Sequence, residues 1–154
     1  MITIYNNLIS KNECEELINY YQENSEKVFQ IRNDIVYHYD GMYITEDFQK
    51  FTFTKRFLEN DIHKLRIQRL DNTINMVEIP HGHATNHNFV AFLNEDFEGG
   101  ELMFGNITFK PAVGQLIYFT GNELHYVKKV YSGNRYTLIG MSTSDIPILK
   151  STLL

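Results

Sequence analysis

Residues 121–141, GNELHYVKKVYSGNRYTLIGM, decide how the rest of the chain is read. Two strand-like runs, 124–130 and 135–142, flank Ser132-Gly133-Asn134, a composition typical of a turn. The first run carries His125; the second, ten positions later, carries Arg135. Imidazole is the commonest metal ligand among side chains. A guanidinium on a rigid strand makes paired hydrogen bonds to a carboxylate. The two residues together predict a metal and an acidic ligand held side by side. Thr137 lies two positions beyond Arg135, on the same strand face, and adds a hydroxyl to that receptor. His125 shares the face if the connection holds an odd number of residues or one bulge.

Working outward, short β-type runs recur before this stretch, at 64–70, 74–79, 88–93, 100–104, 107–110 and 115–119. Asp71-Asn72, Pro80, Gly99-Gly100, Gly105-Asn106, Pro111 and Gly114 punctuate them. With the two runs above, about eight short strands separated by turns predict a sandwich or double-sheet jelly roll. The texture upstream is different. Thr3–Tyr5 reads as a short strand. Ser10 opens a capping box with Glu13, and Cys14, Leu17, Ile18 and Tyr21 follow at helical spacing, which predicts a helix over 11–24 with Cys14 in its buried stripe. Ile35-Val36-Tyr37 suggests a strand and Asp40-Gly41 a hairpin turn. Thr45 is placed to cap a second helix over 46–60 that would bury Phe48, Phe51, Phe57 and Leu58. The predicted class is α+β: a jelly-roll core over 63–143, with two N-terminal helices from a supporting region, 1–62, packed on one sheet. The length of 154 residues suits one domain spanning 1–154.

Net charge is −5 with no basic block, so neither nucleic acid nor an anionic membrane is expected as a partner. A single cysteine leaves no internal disulfide and no cysteine zinc site. The opening MITIYNNLIS lacks the pattern of a signal peptide, and no apolar run approaches a membrane span, so a soluble cytoplasmic protein is expected. Nothing in the pattern specifies an oligomeric state.

Three of the six histidines crowd into PHGHATNH, residues 80–87. His81 and His83, two apart, would aim at one point if extended. His125 would arrive from a distant strand as the third ligand. Strand-borne histidines meeting inside a jelly roll are one way to build a mononuclear metal site. His87 reads as a loop residue or a donor orienting another imidazole, and His38 and His63 as surface or structural residues.

Four stretches, NECEELINYY (12–21), FLNEDFEGGELMF (92–104), ITFKPAVGQLIYF (107–119) and LHYVKKVYSGNRYTL (124–138), resemble in order and approximate spacing the prolyl-4-hydroxylase-like iron(II)/2-oxoglutarate-dependent dioxygenases. The resemblance implies a double-stranded β-helix, iron(II) on a His-x-Asp pair plus a distal histidine, and 2-oxoglutarate as co-substrate. Ascorbate is compatible with such a system as an accessory reductant. Dioxygen would convert the co-substrate to succinate and carbon dioxide and hydroxylate a C–H bond. His125 matches the distal ligand, Arg135 the base that receives the far carboxylate, and Thr137 its neighbouring hydroxyl. The substrate class implied is a prolyl or other peptidyl side chain, on a peptide or partner protein, with a small molecule as the other choice.

The chain departs from the family at the proximal pair, where His81-Gly82-His83 stands in place of His-x-Asp. Leu70 also stands where many relatives place a tyrosine that touches the co-substrate. Three accounts fit. His81, His83 and His125 form a three-histidine site for iron(II). His81 and His125 bind alone, with an open position as in halogenating relatives. Or the metal site is degenerate and the jelly roll is a non-catalytic binding module. Glu78 is the one nearby acid that a bulge could bring in. A cupin-type dioxygenase using three histidines without 2-oxoglutarate is a further enzyme reading.

Overall fold

The computed structural model describes residues 1–57, 62–145 and 149. A seven-stranded antiparallel sheet dominates it. Its strands are β1 (Ile2–Tyr5), β2 (Phe29–Ile31), β3 (Tyr39–Tyr43), β4 (Lys64–Leu70), β5 (His87–Phe92), β9 (Leu116–Thr120) and β12 (Arg135–Ser142). They lie in the order β1-β9-β5-β12-β4-β3-β2. Facing it are two small sheets: β10 (Tyr126–Val127), β7 (Leu102–Phe104) and β8 (Ile107–Phe109) in one, β11 (Val130–Ser132) and β6 (Glu98–Gly99) in the other. Large and small sheets enclose Val90, Phe92, Ile117 and Phe119 against Leu102, Phe104 and Phe109. This is the expected jelly roll.

The opposite face of the large sheet is covered by helix α1 (Lys11–Glu23) and by two 3-10 segments, Thr45–Lys50 and Thr52–Arg56. Alternation along the strands sends Leu65, Ile67, Phe89, Ala91, Leu116, Tyr118 and Leu138 to this side, where they meet Cys14, Leu17 and Tyr21 of α1. The second helical stretch is therefore present and buries Phe48, Phe51 and Phe57, but as short 3-10 turns rather than one α-helix over 46–60. Thr45 does not cap it; its hydroxyl takes the Leu65 N–H at 2.9 Å and ties the stretch to β4. Leu58 and the end of the expected helix lie outside the described residues.

Two other local expectations are corrected. Asp40-Gly41 is not a turn but the middle of β3. Asp40 is held there between Arg32 and Arg69 at 2.6 and 2.7 Å, and the Phe29 and Tyr39 rings close over Gly41 at distances a Cβ would occupy. The actual bend precedes it, where Asp34 Oδ1 accepts the N–H groups of Val36 and Tyr37; Ile35-Val36-Tyr37 is no strand. Residues 74–79 also form no strand: Asp71 caps a turn on Thr73, and the chain then crosses the mouth of the jelly roll with Met76 and Val77 facing inward. No helix among the described residues is long and apolar enough to cross a membrane.

The capping box is complete: Glu13 N–H donates to Ser10 Oγ, and Ser10 N–H donates to Glu13 Oε1. Arg56 and Thr52 also donate to the Glu13 carboxylate, at 2.7 and 3.0 Å, so one acid joins α1 to the second helical stretch. Burial of this carboxyl opposes ionisation, but the hydrogen bonds from Ser10, Arg56 and Thr52 outweigh it and hold the group below the usual carboxylate range. A depressed pKa contributes stability above the unfolded value, and that contribution is lost as pH falls through the folded one. Glu13→Gln is expected to cost about 1–2 kcal/mol at neutral pH. The gap to wild type in denaturant unfolding should close as pH drops below about 4.

Candidate functional site

The strand alternation that fills the core sends the other set of residues into the space between the sheets. Arg135, Thr137, Ile139 and Met141 of β12 lie beside Gln68 and Arg66 of β4 on one flank and Phe92, Val90 and Asn88 of β5 on the other. His125 enters from the opposite side. The two runs flanking Ser132-Gly133-Asn134 are not hairpin partners: β10 pairs with β7, β11 with β6, and β12 with β4 and β5. The chain crosses from a small sheet to the large one, so His125 and Arg135 approach the interior from facing layers. A register shift in β11 falls between Val130 and Ser132, within the connection between His125 and Arg135.

His81 and His125 form an isolated antiparallel bridge, each N–H donating to the other's carbonyl at 3.0 Å. His83 N–H is tied to the Gly121 carbonyl at 2.9 Å. These backbone bonds bring one ligand atom from each of His81, His83 and His125 within 4.8 Å of one another. His125 Nδ1 donates to the Glu123 carbonyl and His81 Nδ1 to the Ile79 carbonyl, at 3.1 and 3.0 Å. A carbonyl only accepts, so both rings carry their proton on Nδ1 and present a bare Nε2. Fixing the far nitrogen in this way is the usual support for a metal-binding imidazole.

The Nε2 atoms of His83 and His125 are 3.0 Å apart. Two nitrogens about 2.1 Å from a shared ion and about 90° apart lie that far from each other. Tyr37 stacks on His83, with its hydroxyl 3.5 Å from Nδ1. Burial, with smaller contributions from the neighbouring imidazoles and Arg66, pushes the His83 pKa down to about 3. Burial is also the main cause that brings His125 to about 4. Both rings are therefore neutral at physiological pH, the state a metal requires.

Arg135 is almost wholly buried. Its Nε donates to the Gly100 carbonyl at 2.8 Å, but among the described residues Nη1 and Nη2 have no partner, and neither has the buried Thr137 hydroxyl. Burial lowers the Arg135 pKa to about 9, opposed only by Glu101. A buried charge without a counter-charge is costly, and three unpartnered polar atoms on one strand face fit a carboxylate that the protein does not itself supply. Gly100, with φ +70°, has a use beyond its turn: a Cβ there would sit 2.7 Å from Arg135 Cδ.

The other candidates fall elsewhere. Glu78 spends its carboxylate on the Lys129 N–H at 3.0 Å and does not join the histidines. His87 packs on Tyr118, on the helix-covered side of β5. His38 bridges the carbonyls of Asp34 and Asn75, and His63 accepts from Thr143, so both are structural. Cys14 is buried and its thiol is pushed up to about 11, mainly by desolvation, which makes it inert. Arg66 and Gln68 were not among the sequence candidates. Their alternation with Leu65 and Ile67 reads as an ordinary strand with one solvated face, so nothing local signalled that both are buried.

No protein-family model matches the chain, and no curated protein matches it. Solved structures do. The chain superposes on a viral collagen prolyl hydroxylase from Paramecium bursaria Chlorella virus-1 with a TM-score of 0.63 at 15% identity, over 91% of this chain and 93% of that one. A prolyl-4-hydroxylase from Pseudomonas putida gives 0.67 at 14% identity, over 92% and 91%. The fold is that of the prolyl 4-hydroxylases. A Trichoplax adhaerens prolyl hydroxylase, solved with a peptide fragment of a hypoxia-inducible factor degradation domain, gives 0.66 at 15% identity, over 92% and 83%. The 2-oxoglutarate-dependent epimerase SnoN from nogalamycin biosynthesis gives 0.67 at 10% identity, over 91% and 77%. The same scaffold thus also carries chemistry other than proline hydroxylation.

Proposed function

We propose that this protein is an iron(II)- and 2-oxoglutarate-dependent oxygenase that hydroxylates a C–H bond, with His81, His83 and His125 as the metal-binding set. The observation that carries this reading is the buried, partnerless guanidinium edge of Arg135 beside the unpaired Thr137 hydroxyl, in the interior of the fold that also holds the three imidazoles. Imidazole suits iron among other metals, so His83 substitutes for the absent carboxylate. Iron, when bound, supplies the activation of dioxygen, one oxygen atom of which ends in succinate and the other in the hydroxylated product.

The chain's own residues then have distinct tasks. Ile79 and Glu123 carbonyls hold the His81 and His125 rings in one tautomer. Arg135 and Thr137 receive the far carboxylate of 2-oxoglutarate and set which end reaches the histidines. Val90, Phe119, Val127 and Ile139 line the cavity with apolar surface and limit water there. A prolyl or other peptidyl side chain is the acceptor we favour.

Anaerobic addition of iron(II) followed by 2-oxoglutarate is expected to give a visible charge-transfer band that saturates with co-substrate. Three imidazoles without a carboxylate also suit a dioxygenase that makes no use of 2-oxoglutarate; iron binding with no response to 2-oxoglutarate would select that reading. Absence of iron binding would leave a non-catalytic jelly-roll module.

A further inference from the structure

The chain has five arginines. Arg32, Arg56 and Arg69 are partly exposed, and each is ion-paired, to Asp40, to Glu13, and to Asp40 and Asp71 respectively. The two buried ones, Arg66 and Arg135, have no acidic partner among the described residues. This inverts the usual arrangement, in which a charge taken out of water is paired. Arg135 is accounted for by one carboxylate of the co-substrate. Arg66 is left over.

Its setting is specific. Arg66 Nε and Nη2 both donate to Gln68 Oε1, at 3.2 and 3.0 Å, and the guanidinium carbon sits 4.4 Å from the Tyr39 ring centre. One edge is thus clamped and one face is covered, so the guanidinium cannot swing out to water. It lines the same cavity as His81, His83 and His125, and also the adjoining opening bordered by Asp34, Tyr43 and Lys64. In register it lies opposite Ile139, four residues along β12 from Arg135. At about 3.3 Å per residue the two cations are anchored roughly 13 Å apart along the sheet. Arg66 is the one nearer the open end.

We propose that Arg66 receives a carboxylate of the acceptor substrate, so that the molecule oxidised at the histidines is an acid or carries an acidic side chain. The Tyr43 hydroxyl also interacts with this guanidinium; a planar carboxylate, which makes the stronger charge-assisted bonds, would displace it or share the edge with it. Asp34 shares the opening and is held ionised by the N–H groups of Val36 and Tyr37, which disfavours a doubly charged phosphate. This inference rests on the oxygenase reading.

The test uses arginine side-chain NMR on the full chain with zinc(II) in place of iron and saturating 2-oxoglutarate, which occupies Arg135. Butyrate and its neutral analogue butyramide are the probes. Butyrate is expected to shift the Arg66 Nε resonance saturably and butyramide to leave it in place. In Arg66→Met, butyrate affinity read from the Tyr37 and Gln68 amides should fall at least tenfold, 2-oxoglutarate affinity should stay within twofold, and Arg66→Lys should recover part of the loss. An Arg66 resonance that ignores butyrate would overturn the proposal. So would an Arg66→Met variant that loses 2-oxoglutarate instead, which would assign Arg66 to the co-substrate, or a stronger response to inorganic phosphate than to butyrate. If wild type fails to bind 2-oxoglutarate, the oxygenase reading fails on its own, and the butyrate response of the metal-free protein still decides the role of Arg66.

Discussion

Arg135→Met is expected to make the ligand-free protein more stable while removing its affinity for 2-oxoglutarate. The guanidinium is buried and, among the described residues, has the Gly100 carbonyl as its one hydrogen-bond partner, with both terminal nitrogens unsatisfied. Replacing a buried ionic group by an apolar side chain of similar volume is often neutral or stabilising by about 1–4 kcal/mol. The Phe92 ring, 5.5 Å from the guanidinium carbon, already offers Met an apolar neighbour. In 2-oxoglutarate the order should reverse, because only wild type gains stability from mass action, about 2.7 kcal/mol at a hundred times Kd. Thermal unfolding of both proteins with and without 2-oxoglutarate measures this directly. A ligand-free variant that is strongly destabilised would mean that Arg135 is a structural strut rather than a receptor.

The second large effect concerns the metal. His125→Ala should lower affinity for iron(II) or zinc(II) by more than about 100-fold, since losing even an outer partner of a ligand costs about 10–100-fold. The backbone bridge between His81 and His125 uses main-chain atoms alone, so the fold should survive the substitution. His83→Ala separates the metal accounts: a comparable loss is expected if three imidazoles bind, and little change if His81 and His125 act alone. His83→Asp, which recreates the family's His-x-Asp pair, should keep iron binding, because the backbone tie of residue 83 to Gly121 is independent of its side chain. Metal titrations by calorimetry on the four proteins decide between the two arrangements.

Most of the large-sheet core was legible along the chain, because its strands alternate and a period of two leaves a mark in the sequence. The runs 64–70 and 135–142 match β4 and β12, the capping box placed the start of α1, and Cys14 was assigned to the core. Where the backbone is irregular, local signals misled. Asp40-Gly41 has turn composition, yet two arginines from elsewhere in the chain hold Asp40 inside a strand. Residues 74–79 have strand composition, yet they cross the mouth of the jelly roll and pair with no strand among the described residues. The phenylalanine-rich stretch after Thr45 is buried as expected, but it forms two 3-10 segments separated at Phe51, whose backbone is extended.

The candidate site divides in the same way. From residue types and spacing alone came the histidine pair two apart, a distal histidine, an arginine and hydroxyl on one strand face, and the jelly-roll pattern around them. Tertiary structure decided what those residues face. His125 and Arg135 approach from different sheets, His81 is set opposite His125 by a main-chain bridge across 44 positions, and Arg66 lies in the same cavity as the imidazoles. These relations depend on register between strands far apart in sequence, where a slip of one residue turns every side chain to the opposite face. Local pattern carries the period of a strand, but only the packed sheets set its phase against its partners.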